Sequence, residues 1–272
     1  MIFYFSATGN CKRVAEWLAE ATGEKAVPIA DVMRAEATRH GSETFTYELG
    51  PGERVGIVSP VYCWRLPSVT EDFVRQLELD VAAGETPYAY AVITYGTTTG
   101  RAGADLDCLL AEGGIDLSAR FSVQMPDTWT PTFDLSDDDK VAAQVERGER
   151  ECEEVVRRVV ARERGDHMRR KVPAPAWFTN AFYDRERRCS QLHVDEVRCV
   201  GCGLCERKCP CAAIELREGV SGKQTDRRPA WVPERCAMCL GCLHRCPTHA
   251  ISYGNGRATE AHGQYVNPHT RV

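Results

Sequence analysis

Eight of the 14 cysteines in this 272-residue chain stand in two copies of one spacing. Each copy reads Cys-x2-Cys-x2-Cys-x3-Cys-Pro, and the second begins 37 residues after the first; the positions are Cys199, Cys202, Cys205 and Cys209, then Cys236, Cys239, Cys242 and Cys246. Secreted disulfide scaffolds are small and rich in loops, whereas this chain begins with a long region of alternating strand and helix patterns. Such close and regular cysteine spacing therefore indicates metal binding rather than a disulfide framework.

The kind of metal site follows from the length of the run. Thiolates at these spacings bind three corners of a cubane from one tight loop, while the fourth cysteine points away into a following helix. The run resembles that of bacterial two-cluster ferredoxins, in which the fourth cysteine ligates the other cluster. The resemblance implies two [4Fe–4S] clusters, one held by Cys199, Cys202, Cys205 and Cys246 and the other by Cys236, Cys239, Cys242 and Cys209. Zinc is the alternative for any Cys-x2-Cys pair, but structural zinc sites seldom use this run.

Two further cysteines lie close to the first run. Cys211 follows Cys209 by two residues, at a position where the second copy has Thr248. We therefore predict that Cys211 is a thiol near a cluster and not a ligand. Cys189 precedes the run, and the sequence leaves open whether it is structural or exposed.

The first half of the chain has the pattern of an α/β fold. Four short apolar runs, rich in β-branched and aromatic residues, predict buried strands, and a weaker fifth run lies between the first two; the runs are Ile2–Phe5, Lys25–Ile29, Val55–Ser59, Tyr88–Thr94 and Phe121–Met125. Helical patterns separate them. Such alternation with short connections predicts a parallel sheet wound by right-handed crossovers, with ligands at the carboxyl ends of the strands.

The loop after the first strand has the composition of an anion-binding loop. It reads Ser6-Ala7-Thr8-Gly9-Asn10-Cys11 and opens directly into a helix, so backbone amides, two hydroxyls and the helix N-terminus can face an anion. It resembles the flavodoxin phosphate loop, Ser/Thr-x-Thr-Gly-x-Ser/Thr, which binds the phosphate of FMN. Cys11 departs from that pattern, because the family uses a hydroxyl there and a thiol is a weaker donor. An ordinary strand-to-helix turn is the alternative.

Two later loops lie where a flavodoxin places those that sandwich its flavin ring. One follows the third strand as Ser59-Pro60-Val61-Tyr62-Cys63-Trp64, and the other begins Thr94-Tyr95-Gly96. Their aromatic side chains suit stacking on a flat ring, or alternatively pack the core or a domain interface. The resemblance covers about residues 1–160 and implies FMN as the cofactor; the candidate binding residues are Ser6, Thr8, Gly9, Asn10, Cys11, Pro60, Tyr62, Trp64, Thr94, Tyr95 and Gly96.

Two stretches are longer than the connections between strands and helices that this fold requires. Asp31–Gly52 is polar and has little periodic pattern. Pro126–Asp137 follows the fifth strand on the ligand side of the sheet, and it either covers the flavin, contacts the second domain or forms a surface turn. A surface turn is the default for such a stretch, and its aromatic residues Trp129 and Phe133 make covering of the flavin a plausible alternative.

Charge divides unevenly along the chain. Residues 1–165 hold 17 Lys/Arg against 28 Asp/Glu, whereas residues 166–272 hold 17 against 11. Together with a shift in composition, this predicts a flavodoxin-like domain over 1–165, a basic linker over 166–189 and a two-cluster ferredoxin domain over 190–272. We expect the two oppositely charged halves to attract, with the basic residues around Arg169–Lys171 and Arg185–Arg188 against the acidic domain.

The resemblances together identify a fusion of a flavodoxin-like domain, with a doubly wound five-stranded parallel sheet, and a small α+β two-cluster ferredoxin domain. The leading interpretation is an electron-transfer protein that passes electrons between the clusters and FMN, with other redox proteins as partners. The alternative is a flavoenzyme in which cluster-fed FMN reduces a small organic substrate. No apolar run is long enough to cross a membrane, and the N-terminus lacks a secretory pattern, so we expect a cytoplasmic protein that binds neither membrane nor nucleic acid. The sequence leaves the oligomeric state open.

Overall fold

The structure is a computed structural model that describes residues 1–37, 44–82, 85–172, 174–218 and 226–271. Strands and helices alternate through the first part of the chain, as β1 (Ile2–Tyr4), α1 (Asn10–Thr22), β2 (Ala26–Pro28), α2 (Ile29–Ala37), β3 (Phe45–Leu49), β4 (Arg54–Pro60), α3 (Ser68–Gln76), β5 (Leu77–Val81), β6 (Tyr88–Tyr95), α4 (Ala102–Glu112), β7 (Leu117–Gln124), α5 (Asp138–Val160) and β8 (Gly165–Asp166). The remaining elements are shorter: α6 (Ala176–Glu186), β9 (Leu192–Val194), α7 (Leu204–Arg207), β10 (Ile214–Arg217), β11 (Arg228–Trp231), α8 (Gly241–His244), β12 (Ile251–Tyr253) and α9 (Arg257–Ala261).

The central sheet is parallel throughout and has the strand order β2-β1-β4-β6-β7-β8. Its first five strands are those that the apolar runs predicted, and the flavodoxin-like fold class is confirmed. The sixth, β8, is a two-residue strand contributed by the start of the basic segment. The order reverses at β1 and β4, so the loops after these strands open the crevice in which doubly wound folds bind ligands.

Helices cover both faces of this sheet, which is why its strands are apolar on both sides. Phe3, Phe5 and Ile57 point to the face covered by α2, α3 and α4, where Phe73 and Leu106 complete a buried cluster. The opposite face packs against α1 and α5 through a second cluster, of which Val14, Leu18, Val58, Val92, Phe121 and Val159 are members. The resulting scaffold holds the strand ends rigidly in place.

The stretch Asp31–Gly52 contains more regular structure than its polar composition indicated. Helix α2 continues to Ala37, and β3 pairs in parallel with β5. Within β3, Phe45 and Leu49 are buried, while the residues between them are more exposed. This strand was missed from the sequence because only two of its five side chains enter the core.

The basic segment also does more than connect the two halves. Gly165 pairs with Ala119 at the sheet edge, and Arg169 forms ion pairs with Glu151 and Glu154 of α5, both at 3.4 Å. Helix α6 then carries the buried Tyr183 into the second half of the molecule.

The cysteine-rich part is built from two small antiparallel pairs, β10 with β11 and β9 with β12, and the short helices α7 and α8. Helices α7 and α8 lie at corresponding places in the two copies of the cysteine run. The sequence Gly219-Val220-Ser221-Gly222 between the two cysteine runs predicts a hairpin turn, but these residues lie outside those that the structure describes. None of the helices within the described ranges is long and apolar enough to span a bilayer.

The residues after α9 return to the first half of the molecule, and we call residues 262–271 the C-terminal strap. The polar composition of the tail from Tyr253 to Val272 suggests that it wraps the small domain, and the Gln264 amide does donate to the Leu243 carbonyl there (2.6 Å). The strap then continues to the other half: the backbone N–H of Asn267 donates to the carbonyl of Thr8 (2.8 Å), and Thr270 donates to Glu16 of α1 (2.8 Å). Asn267 is fully buried by these contacts. The strap therefore lies against the predicted phosphate loop.

Candidate functional site

A cavity of about 350 Å³ opens at the carboxyl ends of β1, β4, β6 and β7. It collects the three loops that the sequence singled out, together with the stretch that begins at Pro126. Ten of the eleven candidate cofactor residues line it, namely Ser6, Thr8, Asn10, Cys11, Pro60, Tyr62, Trp64, Thr94, Tyr95 and Gly96. Such a volume lies in the range of ligand pockets for small molecules and cofactors.

Gly9, the eleventh candidate, does not line the cavity but lies against the C-terminal strap. Its φ of 102° lies in the region that favours glycine, and a Cβ there would stand 2.8 Å from the Cβ of Asn267. The first helical hydrogen bond runs from Arg13 N–H to Gly9 O (2.9 Å), so the amides of the preceding turn have no partner inside the helix. This is the donor set that an anion requires at a helix N-terminus.

The side chains of the same loop are held from two directions. The Cys11 thiol lies 3.0 Å from the hydroxyl of Thr94, and burial raises the pKa of that thiol to about 12. The side-chain Oδ1 of Asn10 accepts from the Tyr265 hydroxyl (2.7 Å) and from the side-chain Nδ2 of Asn267 (3.1 Å). The C-terminal strap thus fixes the loop through Asn10, and no local signal predicted this because the partners lie at opposite ends of the chain.

The loop after β4 ends in an unusual turn. Tyr62 and Arg65 exchange two backbone hydrogen bonds of 3.1 Å around Cys63 and Trp64, whose φ angles of 49° and 64° are both left-handed. Two-residue turns of this kind normally use Asn or Gly, so the backbone here is strained. The turn projects both side chains into the cavity wall, where Trp64 packs against Phe182 of α6 at 5.6 Å between ring centroids.

The stretch after β7 forms one wall of the cavity, as the covering interpretation of Pro126–Asp137 expected. Within it, Asp127 accepts hydrogen bonds from the Thr97 hydroxyl (3.0 Å) and the Trp129 N–H (3.1 Å). Burial raises the pKa of this carboxyl above its usual range. No acidic group stood out here from the sequence; the only signal was an Asp directly after a strand end at the ligand side of the sheet.

The cysteines form two further small cavities. Cys199, Cys202, Cys205 and Cys246 line the first, and Cys209, Cys236, Cys239 and Cys242 line the second. Each cavity therefore brings together three cysteines of one run and the last cysteine of the other. This is the exchanged grouping that the resemblance to two-cluster ferredoxins implied.

The thiols of each group are buried close enough to act on one another. Burial, with smaller contributions from the neighbouring thiols of Cys199 and Cys246, raises the pKa of Cys205 to about 11. Burial likewise raises the pKa of Cys239 to about 12, with a further contribution from Cys209. Thiols grouped in this way favour the thiolate only when cations compensate their charges, as the irons of a cluster would.

The cavities suit a cluster better than a single ion. Backbone amides donate to three of the sulfurs, from Ala213 to Cys209 (3.2 Å), from Met238 to Cys236 (3.3 Å) and from Ala250 to Cys246 (3.2 Å). Across the described residues, no three histidine, cysteine or acidic side chains are arranged to hold one metal ion. A cubane carries its irons at separate corners with one thiolate each, so its ligands do not converge on one point. The indole of Trp231 lines the second cavity, and its N–H interacts with the Cys242 thiol, which opposes the rise in the pKa of that thiol caused by burial.

The second cysteine cavity adjoins the large one. Met238, Cys239 and Leu240 line both cavities, whereas no residue of the first cysteine cavity lines the large one. We call the Cys209/Cys236/Cys239/Cys242 group the proximal group and the Cys199/Cys202/Cys205/Cys246 group the distal group. Cys211 lines the proximal cavity, and the buried Cys189, whose thiol donates to the Arg187 carbonyl (3.2 Å), lies close enough to Cys236 to raise its pKa.

Hydrogen bonds join the proximal side to the flavodoxin-like part. The Tyr183 hydroxyl accepts from the Ser68 N–H (3.1 Å) and donates to the Ala237 carbonyl (3.0 Å). His244 Nε2 donates to the Thr128 carbonyl (2.8 Å), while its Nδ1 accepts from the Tyr265 N–H (3.1 Å). Burial lowers the pKa of His244 to about 4, so the neutral ring that these bonds require is present at neutral pH.

A flavin-sized cavity that shares a wall with a four-cysteine cavity defines the class of iron–sulfur flavoproteins. Residues 1–151 match the family model of a flavodoxin domain, and residues 179–250 match that of a 4Fe-4S dicluster domain. Because the first match covers more than half of the chain, the protein belongs to the flavodoxin-domain family, with a ferredoxin-type 4Fe-4S dicluster domain fused behind it. It therefore has an iron–sulfur and flavin redox function.

Several known proteins are similar to parts of the chain. An uncharacterized ferredoxin of Methanocaldococcus jannaschii is 36% identical over 61 residues, which cover 22% of this chain and 74% of that ferredoxin. One subunit of an ion-translocating oxidoreductase complex of Methanosarcina acetivorans is 38% identical over 58 residues, or 21% of this chain. The matches span only 19% and 21% of the length of this subunit and of another curated relative. Among solved structures, the rubredoxin:oxygen oxidoreductase of Desulfovibrio gigas is 17% identical over 59% of this chain and 36% of its own, with a TM-score of 0.32.

Proposed function

We propose that this protein is an electron-transfer protein that passes electrons between two [4Fe–4S] clusters and FMN. The observation that carries the proposal is the shared wall: Met238, Cys239 and Leu240 line both the large cavity and the proximal cysteine cavity. A ligand of the proximal cluster then lies at the edge of the flavin. Electrons can pass between the two centres without leaving the chain.

We assign the cluster ligands from the cysteines that line the two small cavities. The distal cluster is held by Cys199, Cys202, Cys205 and Cys246, and the proximal cluster by Cys209, Cys236, Cys239 and Cys242. Along the chain, residues 1–165 serve the flavin, residues 190–272 serve the clusters, and the basic segment 166–189 joins them.

FMN fits the large cavity by the chemistry of its walls. The amides that open α1, with the hydroxyls of Ser6 and Thr8, suit the phosphate, and Tyr62, Trp64 and Tyr95 suit the ring. When bound, FMN takes up two electrons one at a time with two protons, whereas each cluster exchanges a single electron. The chain's own residues hold the phosphate loop in place and set the distance between the flavin and Cys239. Trp129 and Phe133 exclude water from the cavity.

The distal cluster is the point of exchange with partner proteins. Cys202 is exposed, and the neighbouring Val197 and Val200 are 94% and 54% exposed. A redox protein that docks here reaches a ligand sulfur directly, whereas the proximal ligands are covered by the flavodoxin-like part. The partners that we propose are therefore one-electron carrier proteins.

Anaerobic purification tests the cofactor content. We expect about eight irons per chain from two cubanes, together with one FMN released on denaturation. Gly9→Val should retain the iron and lose FMN by about 100-fold in affinity, because its left-handed φ and the contact with Asn267 leave no room for a side chain. A protein that assembles both clusters but neither contains nor takes up FMN would overturn the proposal.

Electron passage is tested by reducing the distal side and following the flavin. A transfer within the chain gives a rate of flavin reduction that is independent of protein concentration. A rate that rises in proportion to protein concentration would show that electrons travel between molecules and not across the shared wall.

A flavoenzyme that reduces a small organic substrate is the second candidate, and one observation favours it. The wall from Pro126 to Phe133 encloses the cavity and contains a buried carboxyl, Asp127, with a raised pKa. Such a group can hold a proton for a substrate bound over the flavin. Reoxidation of the reduced protein by a panel of quinones and nitroaromatic compounds tests this. In an enzyme the reoxidation rate saturates with the concentration of the compound and falls in Asp127→Asn, whereas in a carrier the rate does not saturate and does not depend on Asp127.

A further inference from the structure

Arg245 lies at the junction between the proximal cavity and the phosphate loop. Its Nη2 donates to the carbonyl of Ala7 within that loop, and its Nη1 donates to the carbonyl of Lys208 (3.3 Å). A Cβ built on Gly241 would stand 3.2 Å from Arg245 Nη1, 3.5 Å from Cys239 Sγ and 3.6 Å from Ala7 Cβ. One small space therefore brings together the guanidinium, a proximal ligand and the phosphate loop.

The ionisable groups around this guanidinium are sulfurs and a phenol. Cys239, Cys242 and Cys209 of the proximal group face it, as does Tyr62 of the flavin cavity. Its Nε is buried and has no hydrogen-bond partner among the described residues. The guanidinium therefore carries a positive charge beside the proximal sulfurs, and one of its donors has no partner among the described residues.

The equivalent residue of the first copy has a different environment. Lys208 stands 37 residues before Arg245 at the same place in the cysteine run, and its side chain is exposed. Arg34 of α2 reinforces the asymmetry, because its guanidinium donates to the carbonyl of Cys209. Arg34 and Arg245 thus lie beside the proximal group, each hydrogen-bonded to a carbonyl in the other half of the molecule, and Arg187 donates to the carbonyl of the proximal ligand Cys236 (3.0 Å).

We propose that Arg245 is a positioning residue with two functions: its charge raises the reduction potential of the proximal cluster above the value that the cysteine loop alone would give, and its hydrogen bond to Ala7 holds the phosphate loop for FMN. The inference rests on the proposed function. A cation near the ligands stabilises the more negative, reduced form of a cluster, since surrounding charge and hydrogen bonds set such potentials. A fork of donors anchors a carbonyl in a way that a lysine ammonium does not reproduce.

The experiment is an anaerobic redox titration of the full-length protein with both clusters followed by EPR, combined with a binding titration of FMN. Arg245→Met should lower the proximal potential by the equivalent of about a tenfold change in the one-electron equilibrium, or 59 mV, and leave the distal potential unchanged. The same variant should weaken FMN binding about fivefold. Arg245→Lys keeps the charge, so it should restore the potential but not the FMN affinity.

Lys208→Met is the matched control, because it removes the equivalent charge from the exposed copy; both potentials and the FMN affinity should stay at their wild-type values. The proposal is overturned if Arg245→Met leaves the proximal potential unchanged, if it shifts both clusters alike, or if Lys208→Met has the same effect. If Arg245→Met fails to assemble the proximal cluster, the proximal potential is compared in two other variants. Arg245→Lys keeps the charge and Arg245→Gln keeps only neutral donors, so the comparison decides between charge and hydrogen bonding. Should the wild-type protein take up no FMN, the proposed function fails, whereas the potentials still decide the role of the charge.

Discussion

The two copies of the cysteine run share one ligand spacing and differ in what surrounds it. Cys202 is exposed, whereas its equivalent Cys239 lines the wall of the flavin cavity. Arg207 is likewise exposed, while its equivalent His244 is buried between the Thr128 carbonyl and the C-terminal strap. In the proposed function, the repeated positions hold the clusters, and the residues between them determine which cluster lies next to the flavin.

Replacing the fourth cysteine of either run gives the largest expected effect, because each such variant removes one of the four ligands of one cluster. Cys209→Ser belongs to the first run, but it should damage the proximal cluster, whereas Cys246→Ser should damage the distal one. EPR of each variant, with the iron content, identifies the cluster that is lost. Damage confined to the Cys199–Cys205 cluster in Cys209→Ser would refute the exchanged ligation.

Within the C-terminal strap, Tyr265 lies between His244 and Asn10 of the phosphate loop, so its replacement should affect the flavin side and leave the distal group intact. Tyr265→Phe removes a buried hydroxyl that donates to Asn10 at 2.7 Å. We expect a loss of about 1 kcal/mol, or about fivefold in FMN affinity, with the iron content and the distal potential unchanged. Tyr253→Phe is the control, because its hydroxyl hydrogen-bonds Glu186 and not the phosphate loop; equal loss of FMN in both variants would contradict a specific role for the strap.

Asp127→Asn tests the cavity wall by its pH dependence. Burial raises the pKa of Asp127 in the folded protein, so its contribution to stability is present below the unfolded pKa and is lost as pH rises through the folded value. The variant does not ionise, so at pH 7 its free energy of unfolding should exceed that of the wild type by under about 1 kcal/mol, and it should unfold at a higher temperature. This difference in stability should shrink toward pH 4. Anaerobic thermal unfolding from pH 4.5 to 8 measures this, and a difference that is constant over that range would exclude the carboxyl as its cause.

Cys211→Ser should have the smallest effect. Cys211 lines the proximal cavity, but its equivalent in the other copy is Thr248, which shows that a hydroxyl is compatible with this place in the run. Both clusters should assemble with full iron content, and stability should fall by less than about 1 kcal/mol. Loss of the proximal signal in this variant would make Cys211 a ligand.

The sheet was predictable from the sequence because its strands are buried on both faces and appear as short apolar runs. Strand β3 was missed, since only Phe45 and Leu49 of its five residues enter the core. The loops of the large cavity were also predictable, because doubly wound folds bring the carboxyl ends of these strands together.

The junction between the halves could not be predicted in the same way. The bond between Tyr265 and Asn10 joins residues 255 positions apart, and that between His244 and Thr128 joins residues 116 apart. No local periodicity encodes such pairs, because each side chain is an ordinary polar residue until the fold brings its partner to it. Arg245 differs from Lys208 chiefly by its neighbours in space, so its role also required the structure.

The strap has a consequence for the order in which the protein is made. A chain emerging from the ribosome can pair the strands of its central sheet once about residue 166 is free, and domains generally fold as units from the N-terminus. Asn10 nevertheless has no Tyr265 or Asn267 until those two residues have been translated. The phosphate loop is therefore completed only after both cysteine runs exist, and the nascent protein acquires its final flavin affinity late in biosynthesis.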